Sequence, residues 1–265
     1  VKRTVTILGC GSSGGVPRVG QGWGACDPGN PKNRRRRCSI LVEQVGADAA
    51  TTRILVDTSP DLRQQLLDHN VDRLDAILLT HAHADHINGI DDVRPLVIMA
   101  KHRIPLHMDT ATANVARRTF SYIFETPPGS QYPPLLDHKH AIPGQPLVLD
   151  GPGGALEVIP FQLHHGEIDA LGYRFGDLAY TPDLNAIPDA SLPYLRNLDT
   201  WIIDALRYTP HPSHFSLSEA LGWIERMKPR RAVLTNLHTD MDFETLGRRL
   251  PPNVEPAFDG MTLSE

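Results

Sequence analysis

The six residues His81-Ala82-His83-Ala84-Asp85-His86 carry four side chains able to ligate a metal, and they follow directly on the apolar stretch Ala76-Ile77-Leu78-Leu79-Thr80. A short apolar run of this kind reads as a buried strand, so the hexapeptide must lie where a strand leaves a sheet. In extended chain, residues two apart point the same way. His81 and His83 can therefore present imidazole nitrogens to one cation, while Asp85 and His86, where the chain bends towards a helix, can reach a second. The alanines let the coil wrap closely. Histidine nitrogens joined by a carboxylate suit zinc, manganese or iron better than calcium or magnesium, which take mostly oxygen ligands. The competing reading is a chance cluster on a solvated loop, a rare coincidence with only 13 histidines in 265 residues.

Composition narrows the remaining classes. A chain of 265 residues, 40% hydrophobic and 22% charged, suffices for one large domain with a substantial core. A net charge of −5 argues against a generic nucleic-acid or membrane-surface binder. No window approaches the roughly 18 to 20 uninterrupted apolar residues of a membrane span. The segment Thr4-Val5-Thr6-Ile7-Leu8 reads directly as a strand, without a signal-peptide apolar region, so a cytoplasmic location is expected. Cys10, Cys26 and Cys38 are scattered, which predicts reduced, mostly structural cysteines and no C-x-x-C zinc knuckle.

Strand-like segments alternate with helical ones. Strands are expected at residues 4–9, 39–43, 53–57, 76–79, 104–108, 156–162, 172–175, 178–180, 200–204 and 231–234, with a hairpin turn at Gly176-Asp177. Helices are expected at residues 60–69, 110–120, 216–227 and 243–250, the third opening on a capping box from Ser216 to Glu219 and stopping before Pro229. Residues 125–154, rich in Pro and Gly, read as loops around short pieces of strand. They could link two domains. Ligands on both sides of this segment must converge on one site, however, which favours a single domain over residues 1–265.

Further polar residues follow other strand-like segments. His164 and His165 come after Val158-Ile159-Pro160-Phe161-Gln162-Leu163, Asp183 after Tyr180-Thr181-Pro182, and His238 after Leu234-Thr235-Asn236-Leu237. With these in place, the H-A-H-A-D-H run resembles the signature of the metallo-β-lactamase-fold hydrolases. The segment from Gly9 to Pro17, the Arg-rich approach to Cys38-Ser39, Val56-Asp57-Thr58 and Phe258-Asp259-Gly260-Met261 are similar to the branch containing the phosphoribosyl cyclic phosphodiesterase of phosphonate breakdown. The similarity spans nearly the whole chain.

The resemblance implies an α/β fold, a four-layer αββα sandwich of two mixed β-sheets flanked by helices, and two divalent metal ions, zinc or manganese. It places His81, His83 and His165 on one metal, Asp85, His86 and His238 on the other, and Asp183 between them. His164 faces the opposite way along its strand and is set aside. The related phosphodiesterases put the last histidine directly after the Leu-Thr pair, where this chain has Asn236. Either the loop lets His238 reach the metal or that metal is weakly held, and the first alternative is adopted. Cys26 stands alone where a relative has a zinc-binding cysteine cluster, so no structural zinc is expected there.

Asp85 and His214 are the catalytic candidates, His214 as general acid or phosphate clamp in front of a capped helix. Asp57 and Asp204 end strands near the site and could orient ligand imidazoles; a solvated aspartate is an equal reading for Asp204. The run Arg34 to Arg37 reads as a solvated face or a phosphate grip. The glycines from Gly9 to Gly15 allow close backbone approach. Two dications set against Asp85, Asp183 and a bridging hydroxide leave a slightly cationic cluster that attracts a phosphate.

The function expected is a dinuclear metal-dependent hydrolase, a phosphodiesterase acting on a small cyclic phosphate or nucleotide through a metal-bridging hydroxide. The alternatives are a lactone or thioester hydrolase, a tRNA-processing-type nuclease, an iron-dependent redox protein, and a non-catalytic metal-binding accessory protein of cofactor biosynthesis. The partner expected is a small phosphate-ester or nucleotide substrate, with no membrane and no stable nucleic acid. The oligomeric state stays open, a homodimer included.

Overall fold

The apolar runs become strands whose side chains are buried on both faces, as strands of a covered parallel sheet must be. In the computed structural model, which describes residues 2–264, the strands are β1 (Lys2–Gly9), β2 (Ser39–Val45), β3 (Thr51–Val56), β4 (Ala76–Leu78), β5 (Ile104–Met108), β6 (Leu136–His140), β7 (Leu147–Leu149), β8 (Leu156–His165), β9 (Ile168–Phe175), β10 (Leu178–Thr181), β11 (Thr200–Asp204), β12 (Arg231–Thr235), β13 (Val254–Pro256) and β14 (Thr262–Ser264). The helices are α1 (Leu62–Asp68), α2 (Ala84–Ile87), α3 (Arg94–Ala100), α4 (Thr110–Thr119), α5 (Ser121–Phe124), α6 (Leu217–Met227) and α7 (Phe243–Gly247).

Two seven-stranded mixed sheets result, ordered β14-β1-β2-β3-β4-β5-β6 and β13-β12-β11-β10-β9-β8-β7. Parallel pairing runs from β3 to β6 in the first sheet and from β10 to β13 in the second, with antiparallel strands completing each. The inner faces share one core, in which Ile7, Val42, Val56 and Leu78 of the first sheet meet Val158, Tyr173, Tyr180, Ile202 and Val233 of the second. Outside the first sheet lie Leu62, Ile87, Val97, Ala113 and Ile123 of the helices, and outside the second lie Ala220, Ile224 and Leu246. This is the four-layer αββα sandwich expected.

The segment 125–154 is the crossover between the sheets. It contributes β6 and β7, one edge strand of each sheet, through the buried Leu136 and Leu149. Helix α3 is not foreshadowed by the sequence pattern. Only Leu96 and Val97 face the core while the neighbouring Ile98 and Met99 are exposed, so its apolar residues show no helical period. The capping box of α6 forms as expected: Ser216 N donates to Glu219 Oε2 at 2.8 Å, Glu219 N donates to Ser216 Oγ at 3.4 Å, and the helix ends in a left-handed Lys228 just before Pro229.

The glycine-rich loop after β1 lies against the arginine run. A Cβ at Gly9 would overlap the Arg37 carbonyl oxygen and sit 2.9 Å from that of Arg36. Asp259, near the other end of the chain, accepts from Arg36 N at 2.8 Å and Cys10 N at 3.2 Å and fastens this layer. No helix among the described residues is long and apolar enough to cross a membrane.

Candidate metal centre

The chemistry-bearing residues gather beyond the carboxyl ends of strands, where open α/β sheets place ligands. Asp57 follows β3, the hexapeptide follows β4, His165 and Asp204 end β8 and β11, Asp183 follows β10 by two residues, and Asn236 follows β12. Asp57 and Asn236 both turn the chain through a left-handed conformation, with φ of 65° and 61°. Asp and Asn are residues that tolerate it. His83 caps α2 in extended conformation, which lifts Asp85 and His86 into the first turn of that helix.

Tautomers follow from the outer hydrogen bonds. His165 Nδ1 donates to the Ser213 carbonyl at 2.6 Å, leaving Nε2 with a free lone pair. Thr80 Oγ1 donates to Asp57 and so accepts from His81 Nδ1 at 3.0 Å, which bares His81 Nε2 as well. These two nitrogens lie 2.9 and 3.0 Å from His83 Nδ1. One proton on His83 can satisfy only one of them. Three imidazole nitrogens facing a common point with at most one proton among them fit a cation.

Asp183 spans the next position. Its Oδ2 is 3.9 Å from His81 Nε2 and 3.7 Å from His165 Nε2, while its Oδ1 is 3.1 Å from His86 Nε2. The Oδ1 atom is buried and accepts no well-formed hydrogen bond, an oxygen that a cation would satisfy. Asp85 Oδ2 approaches His86 Nε2 at 3.4 Å from the solvent side. Asp57 Oδ2 accepts from His86 Nδ1 at 2.7 Å, while Thr80 N donates to Asp57 Oδ1 at 2.8 Å. A carboxylate behind an imidazole fixes its ring and raises its basicity, the usual support for a metal-ligating histidine.

The electrostatics agree. Burial pushes His81 well below the ordinary imidazole range and lowers His83 and His165 too, so all three stand neutral as ligands must. Burial opposes charge on His86 as well, but Asp183, Asp57 and Asp85 outweigh it and raise its pKa well above the usual value. Conversely, Asp183 stays ionised despite its burial because of His86, which lies 3.1 Å from it, and His214.

His214 enters from the loop before α6. Its Nδ1 lies 2.9 Å from Asp204 Oδ2, 3.1 Å from the Asn236 amide nitrogen and 3.8 Å from Asp183 Oδ2. Burial raises the Asp204 carboxyl to about 7. Burial works against charge on His214, yet Asp204 and Asp183 raise its pKa to about 9. The solvated reading of Asp204 is thereby corrected: the side chain is fully buried and holds His214.

The structure thus gathers ligand atoms in three overlapping groups, His81 with His83 and His165, His81 with His86 and Asp183, and His165 with Asp183 and His214. Asp85 stands at the edge of the second. His164 points away, exposed and paired with Asp169 at 2.8 Å.

His238, expected as a ligand of the second metal, is directed elsewhere in the structure. It belongs to none of these groups, and its Nε2 lies 2.8 Å from Arg18 Nη1. Leu237 N is bound to the Cys10 carbonyl at 2.8 Å and His238 N to the Leu206 carbonyl at 3.0 Å, which fixes the loop in this direction. Asn236 occupies the near position, where its amide nitrogen donates to the Pro182 carbonyl at 3.2 Å.

The arginine run divides. Arg35 is buried and donates to the Met241 carbonyl at 2.7 Å, Arg36 pairs with Asp68 at 2.5 Å, and Arg34 lies over the Trp23 ring. Arg37 pairs with Asp61 at 3.0 Å and also lines a cleft of about 380 Å³ with Gly14, Arg18, Pro60 and Asp85. Arg18 escapes sequence reasoning. Its one marker is its place just after the glycine loop.

Known proteins agree with this architecture. Residues 52–236 match the family described as Beta-lactamase superfamily domain. A crystallised new diphosphatase from the PhnP family superimposes with a TM-score of 0.88 at 36% identity, over 100% of this chain and 98% of that one. The Octanoyltransferase of Porphyromonas gingivalis is 34% identical over 260 residues, 96% of this chain and 50% of its own length. A Ribonuclease Z of Bradyrhizobium is 31% identical over 150 residues, 55% of this chain and 46% of its own length. The chain thus spans about half the length of the curated relatives it matches. Fold, family match and full-length similarity lead to one conclusion: the chain belongs to the beta-lactamase superfamily of metallo-β-lactamase-fold proteins, in its PhnP-like branch.

Proposed function

We propose that the chain is a metal-dependent phosphoric diester hydrolase acting on a small cyclic phosphate or a nucleotide. The observation that carries this reading is the position of the His/Asp cluster, which borders through Asp85 a cleft containing Arg18 and Arg37. Two guanidiniums beside a cluster of ligands suit an anionic substrate better than a neutral lactone or thioester. In this reading His81, His83, His165 and Asp183 hold one divalent cation, and Asp85, His86 and Asp183 hold another, both zinc or manganese. Bound cations of this kind supply Lewis-acid polarisation of a phosphoryl oxygen and an activated water.

The chain's own residues do the rest. Asp57 and Thr80 keep the rings of His86 and His81 in their ligating tautomers. Asp204 holds His214 Nδ1, so that the proton on His214 Nε2 can pass to a leaving oxygen. Asp85, on the cleft side, keeps negative charge beside His86. A second reading, cleavage of a diphosphate bond, is favoured by the full-length likeness to a diphosphatase. The reading is tested with one panel, bis(p-nitrophenyl) phosphate, a dinucleoside diphosphate, a lactone and a thioester, each assayed with added Mn²⁺ or Zn²⁺. Turnover of the phosphate substrates is expected to exceed that of the carbonyl substrates by about a hundredfold or more, the scale on which a matched polar site discriminates. Faster lactone or thioester turnover would overturn it.

A further inference from the structure

We infer that Arg18 and Arg37, beside the Gly14-Gly15 backbone, form a second anion subsite beside the metal centre, one that selects substrates carrying two adjoining phosphates. The inference rests on the phosphate-hydrolase reading above, in its diphosphate form, and refines its substrate class.

Gly14 explains how the Arg18 guanidinium reaches the cleft that Arg37 also lines. A Cβ at Gly14 would sit 2.7 Å from Arg18 Cγ, while Gly15, with a left-handed φ of +65°, turns the loop beside Arg37, whose Nη1 is 3.6 Å from where a Gly15 Cβ would be. Without a side chain at Gly14 the loop is low enough for Arg18 to lie over it, next to Arg37. The glycine motif thus shapes an anion site through side-chain cations, although it lacks the Lys-Ser/Thr of a phosphate-cradling loop. Each guanidinium is also held in place. Asp61 anchors Arg37 at Nε with a 3.0 Å ion pair and accepts from Arg37 N at 2.9 Å. His238 Nε2 lies 2.8 Å from Arg18 Nη1, and Asp240 backs the same ring at 3.2 Å from Nδ1.

His238 therefore acts as a positioning residue for Arg18. Its carbonyl accepts from the buried Arg35 at 3.4 Å, which ties the loop down. A cleft of about 380 Å³ that reaches from these arginines to Asp85 has room for a phosphate beyond the one at the metals. Arginine forks match phosphate oxygens in pairs, so two of them reward a dianionic group more than a single diester charge.

The test compares kcat/KM for a dinucleoside 5′,5′-diphosphate with that for bis(p-nitrophenyl) phosphate, in the metal-loaded wild type and in Arg18→Ala, Arg18→Lys and His238→Gln. We expect Arg18→Ala to lower the diphosphate-to-diester ratio by about tenfold or more, on the scale of losing a hydrogen bond to a charged group. The loss should fall mainly in KM, with partial recovery in Arg18→Lys. His238→Gln should shift the same ratio in the same direction by a smaller factor, and bound metal per chain should equal that of the wild type. An unchanged ratio in Arg18→Ala, with both substrates still turned over by the wild type, overturns the inference and leaves the hydrolase reading standing. Failure of the wild type on both phosphate substrates overturns that reading itself.

Discussion

Replacing His214 with alanine is expected to lower turnover by about 10²- to 10⁴-fold, the range attributable to a positioned general acid. Bound metal should fall far less, because His214 Nδ1 is already engaged by Asp204 at 2.9 Å. The pH dependence follows from the same pair. The acid must carry its proton to donate it, so activity is present below the pKa of His214, about 9, and is lost as pH rises through it. Added positive charge in the cluster pulls that value down, so the falling limb lies at or below about 9. Stability follows the same sign. A histidine raised above its unfolded value of roughly 6.5 contributes fully below that value and ceases to contribute as pH rises through the folded pKa. Rate profiles of the wild type and of Asp204→Asn check this, since losing the carboxylate that raises His214 must move the alkaline limb to lower pH. A limb that stays in place in Asp204→Asn, or full turnover in His214→Ala, would remove His214 from the mechanism.

The second large effect is expected at Asp183. Its two oxygens face different nitrogens, Oδ2 towards His81 and His165 and Oδ1 towards His86, so Asp183→Asn weakens both proposed metal positions together. Loss of a partner that only supports a ligand already costs about 10- to 100-fold in metal affinity or activity. Loss of the shared carboxylate should exceed that, with bound metal per chain falling below half the wild-type content and turnover falling with it. Mass-spectrometric metal analysis of the two proteins decides the matter. Equal metal content in Asp183→Asn would show that the carboxylate does not ligate.

Much of this site is readable in the sequence because strand ends leave local signatures. The apolar run before His81 announces a buried strand, and alternation along β8 separates the inward His165 from His164. Asp57 and Asp204 stand out for the same reason, as carboxylates closing apolar strands. The sequence is least informative where direction depends on partners far along the chain. His238 turns to Arg18, 220 positions away, because the loop after Asn236 is bound to Cys10 and Leu206. Arg35 sits inside the protein, against the carbonyls of His238 and Met241, although its neighbours in the run are partly or fully solvated. Strands β6 and β7 are short and edge-placed, and their Pro- and Gly-rich surroundings mask them. Helix α3 has too few buried residues to show a period.

In the proposed function, hydrolase activity requires divalent metal held by the cluster of His81, His83, His86, His165 and Asp183. This requirement is tested most directly by stripping the protein with a chelator, measuring bound metal and bis(p-nitrophenyl) phosphate turnover together, and then restoring Mn²⁺ or Zn²⁺. Turnover is expected to fall to background with the metal and to return as metal is rebound; full turnover by the metal-free protein would rule the metal requirement out.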